Sequence, residues 1–319
     1  MAARHDHPHG VRAEADRRWL SAALALIAAF MAVEVVVGLL AHSLALISDA
    51  AHMLTDAASL ALALVAMRLA ARPPRGGYTY GLRRAEILSA QANGLTLLLL
   101  AGWLAYEAVR RLVHPPDVAG GPVLVTALAG VAVNLLATWL IARADRASLN
   151  VEGAFQHILT DLFAFVATAV AGAVVLGTGF ARADGIASLV VVVLMVRAGV
   201  GLVHESGRIF LEAAPAGVDP AALGARLAEQ PEVAEVHDLH VWQITSGHPA
   251  ASAHVLVVAG GDCHAVRRSL EVVLRSEYGI THSTLQVDHI GPAVLAIGEA
   301  ADEAHCADSH GPVHRPSPG

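Results

Sequence analysis

The stretch Ser43–Met67, SLALISDAAHMLTDAASLALALVAM, decides how this chain folds. A hydrocarbon core of about 30 Å takes about 20 helical residues, and this apolar run is long enough to cross it. A spanning helix carries few ionisable groups, because each is costly to hold in lipid. This one carries Asp49, His52 and Asp56. At about 100° per residue they fall within about 60° of one another on one helix face. His52 lies about 13 Å along the helix from Ser43, near the bilayer midplane. Such a face must turn toward protein, so the stretch predicts a helical bundle with a polar interior.

A second stretch repeats the chemistry. Gln156-His157-Ile158-Leu159-Thr160-Asp161 sits inside another apolar run, and His157 and Asp161 are one turn apart. Two helices thus each offer an imidazole and a carboxylate: His52 with Asp56, and His157 with Asp161. Face to face they supply two nitrogen and two oxygen ligands, a set that tetrahedral Zn2+ accepts. Paired polar residues also stitch helices together. Recurrence in two otherwise apolar spans favours the metal reading. Asp49 stays open between ligand, outer partner and proton acceptor. For Glu34, Asn93, Asn134 and Asp184, helix-to-helix hydrogen bonding is the stronger expectation.

Six stretches qualify as spans: Trp19–Leu40, Ser43–Met67, Ile87–Val109, Val123–Ile141, Ala154–Leu176 and Asp184–Val203. The composition agrees. Of 319 residues, 55% are hydrophobic and 15% charged, and the mean hydropathy is +0.55. A soluble domain carries about 25% charged residues, so one soluble globule and disorder are both excluded. There is no lysine, and 18 histidines stand beside 14 aromatic residues. Eleven arginines lie before the first span or in the loops after the second and fourth, against three in the opposite loops. That asymmetry predicts cytoplasmic N- and C-termini, and the expected location is an inner (cytoplasmic) membrane.

Charge also divides the chain. Residues 1–208 balance to +2, and residues 209–319 to −9. An acidic soluble part excludes nucleic acid as a partner, since phosphate binding needs a basic face. Two cysteines, Cys263 and Cys306, are too few for a disulfide framework. The polar, His-rich start does not read as a cleaved leader. The expected organisation is a His-containing cytoplasmic N-terminus (1–18), a six-helix transmembrane domain (19–208), an acidic cytoplasmic domain (209–291) and a flexible His- and Cys-containing tail (292–319). Within 209–291 the patterns read Ala221–Gln230 as a helix capped by Asp219, Val233–Ile244 and Ala253–Val258 as strands, Cys263–Tyr278 as a helix and Thr284–Ile290 as a strand. The fold class is an α-helical membrane protein with six transmembrane helices and a small cytoplasmic α+β (αββαβ) domain.

The runs Ser43–Asp56, Tyr80–Leu88 (YGLRRAEIL) and Ser148–His157 (SLNVEGAFQH) resemble the cation diffusion facilitators, in their zinc-transporting branch. His237–Trp242 (HDLHVW) and His282–Val287 (HSTLQV) resemble that family's cytoplasmic domain. The likeness implies a homodimer, six spans and proton-coupled export of divalent metal, with His52, Asp56, His157 and Asp161 as the transport site. It also implies Zn2+ ligation by His237, His254 and Asp288. His240 and His282 are next in line, although a single histidine on a strand is ordinarily structural. Some relatives carry a further site between spans two and three. Here Arg68–Arg84 has no His, Asp or Cys, and no metal is expected there. His5, His7 and His9 are candidates for weak metal capture at the N-terminus. His305, Cys306, His310 and His314 divide evenly between weak capture and solvated tail. Cys263 reads as a buried thiol at a helix start.

The expected function is therefore a Zn2+/H+ antiporter exporting zinc from the cytoplasm, with Zn2+ as cargo and as regulatory ligand of the tail domain. Its partners are Zn2+, protons, the lipid bilayer and a second copy of the chain. An enzyme is not expected, since four ligands close the site and no His-Glu-x-x-His motif occurs. The alternatives are a membrane metal sensor or receptor, and a transporter of broader Cd2+ and Co2+ range.

Overall fold

Six long helices follow one another through the first part of the chain in the computed structural model, which describes residues 9–40, 44–114, 120–146, 148–180, 182–290 and 311–316. They are α1 (His9–Leu40), α2 (Leu44–Ala70), α3 (Ala85–Val113), α4 (Gly120–Ile141), α5 (Leu149–Thr178) and α6 (Ala183–Phe210). Each contains an expected span or all but its first residue, and α1 begins ten residues before Trp19, taking in the polar arginine-bearing approach. Packing divides the chain into two compact units, Met1–Gly207 and Arg208–Gly319.

In the first unit, α1, α2, α4 and α5 share one apolar core, built from Leu20, Ile27, Met53, Leu60, Ile141 and Ile158 among others. α3 and α6 form a second seam through Leu97, Ala101, Val191, Met195 and Leu202. Small residues let these helices approach closely. A Cβ at Gly199 would lie 2.9 Å from the Gly94 carbonyl oxygen, and one at Gly130 of α4 would lie 2.3 Å from the Phe165 ring of α5. Leu99, Trp103, Val125 and Val193 stand on the outside, where a soluble protein would not place them together. Among the described residues, α3, α5 and the Gly185–Phe210 part of α6 are by themselves long and apolar enough to span a bilayer. At one end the Asp145 amide donates to Asp16 at 2.8 Å, joining the start of α1 to the turn after α4. Arg143 there lies 3.6 Å from the Trp139 ring and 5.1 Å from the Trp19 ring, a cation–aromatic cluster of the interfacial kind.

The second unit runs α7 (Pro220–Ala228), β1 (Val233–Thr245), β2 (His248–Val257), α8 (Cys263–Tyr278) and β3 (His282–His289), the expected αββαβ order. Asp219 caps α7 by accepting from the Ala221 amide at 3.0 Å, with Pro220 preset for the first turn. Asp262 caps α8 by accepting from the His264 and Ala265 amides. Those hydrogen bonds, Ala265 foremost, hold its carboxyl below the usual range. β1 pairs antiparallel with β2 and β2 parallel with β3, giving the sheet order β1-β2-β3. β2 starts five residues before the expected Ala253. The reverse turn at Ser246-Gly247, with Gly247 at φ 70°, pairs Thr245 with His248 at once. Cys263 is half-buried.

Leu223, Leu227, Leu270, Val273 and Leu274 lay both helices over one sheet face. Leu270 is fully buried, so Leu270→Ala costs about 2–5 kcal/mol. The expected readout is faster amide hydrogen exchange in α8 than in the parent. Residues 311–316 fall in the segment expected to be a flexible tail. The Val236 amide donates to the His314 carbonyl at 2.9 Å and the His314 amide to the Val236 carbonyl at 2.8 Å, which fastens them to the edge of β1.

Candidate metal centre

Packing brings three of the four expected intramembrane residues together. Met53 and Leu60 of α2 and Ala154 and Ile158 of α5 are fully buried in one core, and Asp56 of α2 meets His157 of α5 beside them. Asp56 is completely buried, His157 is 1% exposed and Asp161 4%. The His157 Nε2 approaches Asp56 Oδ1 to 3.2 Å and Asp161 Oδ2 to 3.7 Å. One ligand atom from each of the three lies within 4.8 Å of the others. Away from the cluster, Asn150 Nδ2 donates to the Ala63 carbonyl oxygen at 3.0 Å and pins α5 to α2. His52 and Asp49 lie on α2, and their side chains are outside the described residues.

The arrangement has a plain electrostatic meaning. Two ionised carboxylates carry a charge of −2, and holding that in an apolar bundle is costly unless cationic charge meets it. A divalent cation supplies that charge. Neutral imidazole with carboxylates suits Zn2+ and its neighbours better than Mg2+, which demands oxygen ligands.

The other polar residues named from the spans divide. Asn93 is buried on α3, where the Gly153 backbone of α5 packs against it. Asn134 Nδ2 donates to the Gly130 carbonyl of its own helix at 3.2 Å, rather than to a neighbouring helix as expected. Glu34 and Asp184 have side chains outside the described residues. The same holds for His9, which opens α1, while His5, His7, His305, Cys306 and His310 lie wholly outside them.

In the second unit the named residues share the sheet face opposite α7 and α8. His237 pairs with His254, His254 with Gln286, and His240 with Ser252, while Val236, Val241, Ala251 and Val255 between them enter the core. His237 and His240 are three apart, which strict alternation would send to opposite faces. A register shift between them inserts an extra residue, with Asp238 at φ 50°, and returns both to one face. The His237 and His254 rings meet edge to face, with centroids 5.5 Å apart. His282 starts β3 opposite Ala250 and is exposed. Asp288 lies opposite Leu256, and its Oδ2 accepts from Gln286 Nε2 at 3.0 Å.

Two carboxylates were missed by the sequence reading. Asp238 Oδ1 lies 3.0 Å from His240 Nε2, and its Oδ2 lies 3.9 Å from His254 Nε2. Glu235 Oε1 lies 3.2 Å from His237 Nδ1. The run Glu235-Val236-His237-Asp238 carried the signal for Glu235 as a same-face neighbour. Asp238 carried none, since alternation assigns it to the core side.

Residues 20–211 match the cation efflux transmembrane domain, and residues 215–290 match the cytoplasmic domain of cation efflux proteins. The cadmium, cobalt and zinc/H(+)-K(+) antiporter of Bacillus velezensis is 33% identical over 90% of this chain and 92% of its own length. The zinc transporter ZitB of Pectobacterium atrosepticum is 36% identical over 95% of this chain and 92% of its own. The metal cation efflux system protein CzcD of Cupriavidus metallidurans is 38% identical over 94% of this chain and 92% of its own.

Proposed function

The chain belongs to the cation efflux family, and from that premise we propose that it is a Zn2+/H+ antiporter exporting zinc from the cytoplasm. The observation that carries the reading is the buried meeting of Asp56, His157 and Asp161 between α2 and α5. His52, one turn before Asp56 in the sequence of α2, is the fourth ligand, and Asp49 is an accessory residue of the same site. Asp56 and Asp161 neutralise the cation, and His157, between them, fixes it through nitrogen.

Metal ligands must be deprotonated, so protons compete with Zn2+ for the same atoms. Histidine has a reference pKa of about 6.5, close to the pH range across which a cell membrane works. A more acidic outside displaces Zn2+ there, and the protonated site returns inward when the helices rock about it.

The arginine asymmetry sets both termini in the cytoplasm of an inner-membrane protein. In this reading the segments 1–18, 19–208, 209–291 and 292–319 serve as N-terminus, transporter body, metal-responsive dimerisation domain and tail. The open sheet face with His237, His240, His254, His282 and Asp288 binds regulatory Zn2+ as the domain pairs with that of a second copy. The names of relatives support zinc as cargo. ZitB is named a zinc transporter, and the Bacillus velezensis protein is named for cadmium, cobalt and zinc. A pure metal sensor would need no buried ligand set at membrane depth.

In inverted vesicles holding the protein, an imposed pH gradient should drive Zn2+ to accumulate against its own gradient. Dissipating the pH gradient should stop it. Zn2+ uptake that ignores the pH gradient would overturn antiport, and no uptake at all would favour the sensor.

A further inference from the structure

The segment Gly311–Pro316 is seated on the outer edge of the sheet in a specific way. The reciprocal hydrogen bonds between Val236 and His314 make the two directly opposite residues, and opposite residues point to the same face. Val236 points into the core, so the His314 ring lies on the helix side. There it meets Gly224 of α7: a Cβ at that position would be 2.2 Å from His314 Cδ2 and 2.3 Å from Nε2. Only glycine leaves room for the ring. Arg315, next in line, lies on the open face. Its Nε and Nη2 donate to Glu235 Oε2 at 3.0 and 2.9 Å. The other oxygen of that carboxylate is 3.2 Å from His237 Nδ1, and His237 faces His254 across the strand pair. One carboxylate therefore touches both the tail and a histidine of the proposed regulatory site.

We infer that Gly311–Pro316 is a detachable clasp whose docking on the β1 edge strengthens divalent-metal binding at His237 and His254 by holding Glu235 against His237. An exposed sheet edge takes an added strand through main-chain hydrogen bonds, and here the chain supplies that strand itself. A carboxylate beside a ligating histidine sets ring orientation and basicity, and losing such a partner costs about 10–100-fold in metal affinity. Five of the six residues of the segment are exposed, so the clasp is held by few contacts and opens far more easily than the domain unfolds. An exposed ion pair holds little alone. The seat of His314 on Gly224 and the paired backbone bonds set the position of Arg315. The inference rests on the reading that His237 and His254 bind metal.

The test uses Gly224→Ala in the full-length protein in detergent, with Zn2+ alone as probe and the His237→Ala variant defining the binding that belongs to this site. Alanine is a better helix former than glycine, so α7 is not weakened, but its methyl group expels the His314 ring. Hydrogen exchange at the Val236 amide should rise, and the Kd of the His237-dependent site should rise by about tenfold. Ending the chain after His310 should give the same loss, and Gly224→Ala should add nothing in that shortened chain. Unchanged affinity with a freed Val236 amide would overturn the coupling, and an unchanged amide would overturn the clasp. Absence of His237-dependent Zn2+ binding in the parent would instead sink the metal-site reading on which the clasp depends.

Discussion

Replacing His157 by alanine should abolish pH-driven Zn2+ movement, lowering uptake by at least about 100-fold, while the six helices stay assembled. The magnitude follows from position. The single Nε2 lies 3.2 Å from one carboxylate and 3.7 Å from the other, so this nitrogen stands where both acidic groups converge. Losing a partner outside the ligand set already costs about 10–100-fold in metal affinity, and losing a ligand costs more. Without the imidazole, two carboxylates face each other in a buried space. The remaining set is one nitrogen short for Zn2+. Uptake into inverted vesicles measures the loss, and gel filtration in detergent checks assembly. Transport within twofold of the parent in the assembled variant would remove His157 from the transport site.

Gly199→Val should prise α3 from α6, with a cost at or beyond the upper end of the 1–3 kcal/mol typical of about one overpacked position. The added Cβ would meet Leu98 Cγ at 2.8 Å and the Gly94 carbonyl oxygen at 2.9 Å. A leucine tip can turn aside, but a helix backbone cannot, so the two helices must separate. The Leu97, Val191 and Leu202 seam would then loosen with them. Gly201→Val is the matched control, two residues along the same helix, where an added Cβ meets nothing within 4 Å. Thermal denaturation of the two purified variants in detergent should separate them clearly. Equal denaturation temperatures would show that the close approach of α3 and α6 carries no stability.

Much of this architecture is legible in the amino-acid sequence. Apolar length marks each of the six spans, because lipid demands a run of about 20 apolar residues whatever their neighbours. Asp56, His157 and Asp161 stand out because charge at membrane depth is rare. The Asp219 cap is local as well, a side chain bonding the amide two residues on. The helix Cys263–Tyr278 has the same ends in the sequence reading and in the structure, with Asp262 before it and Gly279 after it.

What escaped the sequence reading depends on partners far along the chain. The extra residue between His237 and His240 is a property of how β1 pairs with β2, not of β1 alone. That one shift brings His240 onto the face of His237 and aims Asp238 at His240 and His254. Glu235 matters because Arg315, 80 residues away, reaches it. The clasp itself needs a glycine at Gly224 and a histidine at His314, and no local pattern links the two. Hydropathy, capping and buried charge are carried by short stretches, so the sequence by itself determined the six helices, the αββαβ order and the ionisable residues at membrane depth. Register, bulges and the gap above a glycine exist only between segments. Tertiary structure alone therefore decided which carboxylates stand beside which histidines, and that the tail closes on the edge of β1.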